Sequence, residues 1–114
     1  MDRIVDRLFC GLLAFGAAGH LLGTFLFAEL WSALFVWSLA GVLAAALLVA
    51  LNVVRSFRPG DRAVAWIALA GTLCWVGIAG LFGISIGNLF DPRVLVHAAA
   101  AVGLSYFNFR AARV

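Results

Sequence analysis

The chain has 114 residues, of which 66% are hydrophobic and 11% charged, and its net charge is +3. A soluble domain of this length carries about a quarter charged residues, so the composition excludes an ordinary water-soluble fold and leaves room for one domain. All eight basic residues are arginines: Arg3, Arg7, Arg55, Arg58, Arg62, Arg93, Arg110 and Arg113. They stand at the ends of apolar runs and not along one polar face, which excludes a nucleic-acid-binding role.

A helix rising about 1.5 Å per residue needs roughly 20 apolar residues to cross a 30 Å hydrocarbon core. Four runs are read as spans: Leu8–Ala28, Ser32–Val54, Ala63–Ser85 and Val94–Phe109, the last being the shortest and most polar. The first run is longer than the roughly 7–15 residues of a signal-peptide apolar region, so it is expected to be a retained span. Ser32 is a possible cap for the second helix. Pro59-Gly60 turns the chain before Asp61 caps the third. Asp91 caps the fourth, with Pro92 in the first helical position, where its missing N–H costs nothing. Short connections force neighbours antiparallel, so the expected fold is an all-α membrane bundle of four transmembrane helices running up-down-up-down.

Arginine placement sets the expected orientation. The N-terminus, second connection and C-terminus share one side and hold seven of the eight arginines, so that side is expected to be cytoplasmic. Trp31 and Trp66 fall at opposite membrane boundaries, as interfacial anchors do. The absence of Lys beside abundant Ala, Gly and Arg points to a GC-rich bacterial gene and to the inner membrane. Cys10 and Cys74 are spaced for neither a zinc site nor a CxxC pair, and both read as small buried hydrophobes.

Ionisable side chains inside hydrocarbon are costly and mark functional sites. No carboxylate, Lys or Arg lies deep in any predicted span, but two histidines do. His20 lies roughly 20 Å from the cytoplasmic edge, and His97 roughly 6 Å below the outer edge, counted at the helical rise from Arg7 and Arg93. Both belong to the outer half, on helices that become neighbours when the bundle closes. Ala17, Gly16, Gly23 and Thr24 surround His20 on its helix. Gly19 and Gly23, like Gly83 and Gly87 on the third helix, form small-xxx-small pairs suited to close helix packing within the bundle or between copies. Trp75 lies near mid-membrane and, like Trp37, is expected at a helix contact or a pocket wall. His20, His97, Thr24 and Trp75 are therefore the candidate ligand-binding residues. The histidines can serve as packing polar groups, as ligands of a b-type haem, or as a proton-linked transport site. Asn52, Tyr106 and Asn108 fall at one depth near the inner side, where they can form a hydrogen-bonded cluster.

No HExxH, Walker, GxSxG or paired-carboxylate pattern is present, so no enzyme and no resident metal are expected. In size and span count the chain is similar to the small multidrug resistance transporters. That family carries a membrane-embedded glutamate in its first span as the coupling site. Leu8–Ala28 has no carboxylate, so the resemblance covers architecture only. The leading expectation is a non-enzymatic bundle acting by association in the lipid bilayer, as a homo-oligomer or with a membrane protein partner. The alternatives are a histidine-based binding module and a dimeric proton-linked transporter.

Overall fold

A computed structural model describes residues 1–114 as four helices: α1 Asp2–Phe27, α2 Ala33–Phe57, α3 Arg62–Ser85 and α4 Pro92–Arg113. Three of the expected caps are in place. Ser32 Oγ accepts from the Phe35 amide at 3.1 Å, Asp61 Oδ1 from Val64 at 3.1 Å and Asp91 Oδ1 from Arg93 at 2.9 Å. Each connection also holds one residue in the left-handed region: Trp31 at φ 63°, Gly60 at φ 89° and Gly87 at φ 69°. Trp31 is the costly one, because a side chain there strains the backbone. Its indole packs edge-on against Phe35, with ring centroids 5.5 Å apart.

The helices extend beyond the apolar runs. α1 starts six residues before Leu8 and takes in Asp2, Arg3, Asp6 and Arg7, while α2 reaches Phe57 and α4 reaches Arg113. Hydropathy marks the part of a helix that suits hydrocarbon, whereas the backbone ladder continues as long as its own hydrogen bonds do. α1, α2 and α3 are each long and apolar enough to cross a membrane. α4 does not reach the same measure, since its sequence is the most polar of the four.

Contacts between helix ends give the topology. Arg55 near the end of α2 pairs with Asp6 near the start of α1, Arg110 of α4 pairs with Asp2, and Arg62 Nε donates to the Ala112 carbonyl at 3.0 Å. The start of α1, end of α2, start of α3 and end of α4 therefore meet at one end, and sequential helices are antiparallel. The seam between α3 and α4 is the most extensive, α1 packs on α2 and α4, and the seam between α2 and α3 is thin. The bundle measures 45 × 26 × 21 Å, and its long dimension matches the roughly 40–45 Å of a bilayer with its headgroups.

Small residues make the core. Ala17, Ala45, Ala100 and Ala101 are buried around Leu13, Leu104 and Trp75, which lets the backbones approach as they do in membrane bundles. The outside carries Phe15, Leu22, Leu47, Ile67 and Leu81, all more than half exposed. Such an apolar surface is far beyond what water-soluble monomers tolerate. It is compatible with insertion into a membrane.

Candidate functional site

The fold brings the two histidines together. Their ring centroids lie 6.4 Å apart with the planes at 84°. His97 is half-buried between α1 and α3. The Trp75 indole Nε1–H donates to His97 Nδ1 at 3.2 Å. Indole only donates, so Nδ1 must present its lone pair, and the neutral ring carries its hydrogen on Nε2. That second edge faces α1: a Cβ built on Gly16 would lie 3.0 Å from both Nε2 and Cε1 of His97. Gly16 is therefore the cradle that lets the imidazole reach the α1 backbone, and even a methyl group there would force the ring to shift.

His20 is different. It is exposed on the bundle surface at the α1–α2 crossing, and its Nε2 lies 3.5 Å from where a Cβ on Gly41 would stand. Thr24 is buried one turn further on, and its hydroxyl donates to the His20 backbone carbonyl at 2.8 Å. That bond turns the hydroxyl back on its own helix. Of the four candidate residues, then, Trp75, His97 and His20 form one contiguous group and Thr24 supports it through the backbone.

This geometry constrains cofactor chemistry. No group of three or more His, Cys, Asp or Glu side chains converges as a metal site. An axial haem ligand needs a free imidazole nitrogen aimed at iron. His97 could offer one only by releasing Trp75 or by leaving Gly16, whereas His20 has open space beside it.

The glycines divide in the same way. Gly19 has nothing within 4 Å of a built Cβ, and at Gly23 such an atom would meet only Phe27 of its own helix at 4.0 Å. Gly83 is tightly held against Leu89 and Val94, at 2.8 and 3.3 Å. Gly87 lies beyond the end of α3, where its positive φ makes the turn, and so does not pack helix to helix. Beside Gly83, the close approaches inside the bundle fall at Gly16, Gly71 and Gly103, the last with Phe9 ring carbons at 2.6 Å.

A second polar group, at the opposite end, is larger. Asp6 and Arg55 form a bidentate ion pair with both N···O distances 2.6 Å and side chains only 9% and 7% exposed. Arg55 Nε also donates to Asn108 Oδ1 at 2.8 Å, and Nη2, already donating to Asp6, reaches Asn52 Oδ1 at 3.5 Å. Asn108 Nδ2 donates to Thr72 Oγ1 at 3.3 Å, and Ser105 lies 2.8 Å from the same hydroxyl. One connected network thus joins all four helices. Every buried side-chain polar atom in the chain has a partner.

Several expectations are corrected here. Arg55, read as a charge at the end of an apolar run, is buried in the bundle against Asp6, because α1 and α2 extend past their apolar runs. Tyr106 is exposed and lies outside the cluster of Asn52 and Asn108, under the Arg110 guanidinium at 5.6 Å. Cys10 is buried, but Cys74 is exposed. Trp37, expected at a contact, is 76% exposed.

At the other end of the molecule Arg93 folds back on Asp91, with two N···O distances of 2.9 Å. The hydrogen bonds from Arg93 hold the Asp91 carboxyl below the ordinary 3.8 and raise the Arg93 guanidinium in turn. Arg93 is exposed and Asp91 lies half-buried at the surface, so solvent screens the pair and its energetic weight is small. Compared with protein families, curated proteins and solved structures, the chain matches none.

Proposed function

We propose that the chain is a non-enzymatic inner-membrane subunit that works by association, with a second copy or another membrane protein covering the outer face of α1. The observation that carries this reading is His20. A polar imidazole within an apolar span normally faces protein or a water-filled cavity, yet His20 is exposed on the bundle surface. Gly19 and Gly23 leave the backbone beside it bare, which is the surface a second helix needs for close approach. The buried polar side chains satisfy one another, which supports a structural role for the network.

In this reading α4 is the fourth span. Its 22 residues cover about 33 Å at the helical rise. Ser105 and Asn108 face inward, while Leu95, Val102 and Phe109 face out. The arginine-rich end, with both termini, faces the cytoplasm of a bacterial cell. Light scattering of the protein in mild detergent tests the proposal. Wild type is expected to run as an oligomer or with a co-purifying membrane protein, and Gly19→Leu as a monomer of unchanged helicity. A wild-type monomer without a partner would sink the idea.

The 6.4 Å approach of His20 to His97 favours a second reading, a ligand- or proton-binding site at that pair. Its haem version predicts a Soret band on haem addition that His20→Ala abolishes. Its transport version predicts that His20→Ala alters uptake or resistance. An unchanged spectrum and unchanged uptake rule out both forms.

A further inference from the structure

At the arginine-rich end the bundle is not closed. A cavity of about 170 Å³ opens there between the start of α1 and the α2–α3 connection, far above the ~15 Å³ that one water requires. Four guanidinium groups (Arg3, Arg7, Arg55 and Arg58) and two carboxylates (Asp6 and Asp61) line it. The lining therefore carries two net positive charges. Both carboxylates are already engaged. Asp6 gives both oxygens to Arg55, and Asp61 gives one to the Val64 amide while the other stands 3.9 Å from Arg58. Arg3 and Arg7 have no carboxylate within ion-pair distance. Arg7 only overhangs the Phe57 ring at 6.0 Å.

Along the thin α2–α3 seam runs an open apolar groove of about 310 Å³, lined by Leu47, Leu51, Gly71, Cys74 and Ile78 among others. Its α2 wall leads towards the cavity. Leu51 is one turn, about 6 Å, from Arg55. A cationic cup at headgroup level beside an apolar channel at acyl depth has the polarity of one kind of molecule.

We infer that this end of the bundle is a binding site for an anionic phospholipid. The lipid's phosphate sits among Arg3, Arg7 and Arg58, and one acyl chain lies in the α2–α3 groove. Basic pockets at the cytoplasmic ends of membrane helices suit such headgroups. Arg55 is already neutralised by Asp6, so it forms the floor of the site and not its main anion ligand. The inference rests on the chain spanning the membrane and is independent of what covers α1.

The test uses the whole purified chain in detergent, with phosphatidylglycerol, phosphatidylcholine or inorganic phosphate added, read by native mass spectrometry and thermal melting. Phosphatidylglycerol is expected to bind and raise the melting temperature more than phosphatidylcholine. The double variant Arg3→Gln/Arg7→Gln is expected to weaken that binding about 25-fold, taking about fivefold per basic residue. Its helicity in detergent without added lipid stays that of wild type, because neither arginine belongs to the buried network. A Cys74→Trp variant, which fills the groove, is expected to bind phosphatidylglycerol more weakly while keeping its helicity. Equal binding of the two lipids by wild type overturns the proposal, and that comparison depends on no variant. An equal gain from inorganic phosphate overturns it as well, by assigning the cup to a free anion. Failure to require detergent for extraction would instead overturn the membrane reading beneath it.

Discussion

The Asp6–Arg55 pair allows the sharpest test of how the bundle is held. Both side chains are below 10% exposed, and removing one member of a buried pair costs about 3–5 kcal/mol because the survivor is left charged and unpaired. The two members are not equivalent. Asp6 accepts hydrogen bonds only from Arg55, whereas Arg55 also donates to Asn108 at 2.8 Å and reaches Asn52 at 3.5 Å. Asp6→Ala is therefore expected at the low end, about 3 kcal/mol, and Arg55→Leu at the high end, about 5 kcal/mol. The combined Asp6→Leu/Arg55→Met protein is expected within about 1 kcal/mol of wild type, since desolvation of the ions roughly cancels their attraction. Unfolding in mixed micelles with increasing dodecyl sulfate, followed by circular dichroism, gives all three numbers and the coupling between the sites. An Asp6→Ala loss under about 1 kcal/mol, the range of solvent-exposed pairs, would refute the buried-lock argument. So would a double variant as unstable as the two single losses added together.

Four further outcomes are expected. Gly103→Ala places a Cβ 2.6 Å from three Phe9 ring carbons and should lose about 1–3 kcal/mol by overpacking. Gly19→Ala meets nothing within 4 Å and should gain up to about 1 kcal/mol from helix propensity alone; the same micelle titration separates the two. Trp75→Phe keeps the ring but removes the donor to His97. It should cost about 0.5–1.5 kcal/mol, in line with side-chain hydrogen bonds measured inside membranes, and should shift the ¹⁵N resonance of His97 Nδ1. Asp91 titrates below 3.8 in the fold because of its Arg93 hydrogen bonds, so its stabilising effect is complete above pH 3.8 and is lost as pH falls through the lowered value. Asp91→Asn should flatten that acid limb in a pH series of melting curves.

Much of the frame was legible from local chemistry. Ser32, Asp61 and Asp91 cap their helices because a short oxygen-bearing side chain before an apolar run has few other uses. The antiparallel order followed from connection length. What escaped was register across long sequence separation. Asp6 and Arg55 are 49 residues apart, and their meeting depends on where two helices end, which apolar content does not report. The polar cluster near Asn108 was placed at the right depth, but one member had the wrong face. At about 100° per residue, Ser105 and Asn108 share a side of α4 while Tyr106 points elsewhere. The face of His97 was equally hidden, since four consecutive alanines follow it without a polar mark. Gly16, the residue that admits the imidazole, gave one hint: it is a glycine about one turn from His20.

Taken together, the polar side chains divide the bundle into a tied end and a looser half. The network joins α1, α2, α3 and α4 near the arginines, and its link to α2 passes through Arg55 and Asn52. Away from that end α2 rests on α1 and only lightly on α3, and the apolar groove lies along that light seam. At the opposite end α3 and α4 are joined by Trp75 and His97, with α1 drawn in through Gly16, and α2 meets this group without a hydrogen bond, through Ala45 in the core around Trp75 and the His20–Gly41 contact. α2 is thus the helix whose polar ties to its neighbours run through one arginine. Loss of Arg55 should free α2 more than it frees any other helix, so amide hydrogen exchange in Arg55→Leu should rise along Ala33–Phe57 while α3 and α4 stay protected. Uniform exchange across all four helices would mean that the network stabilises the bundle as a whole and does not anchor α2.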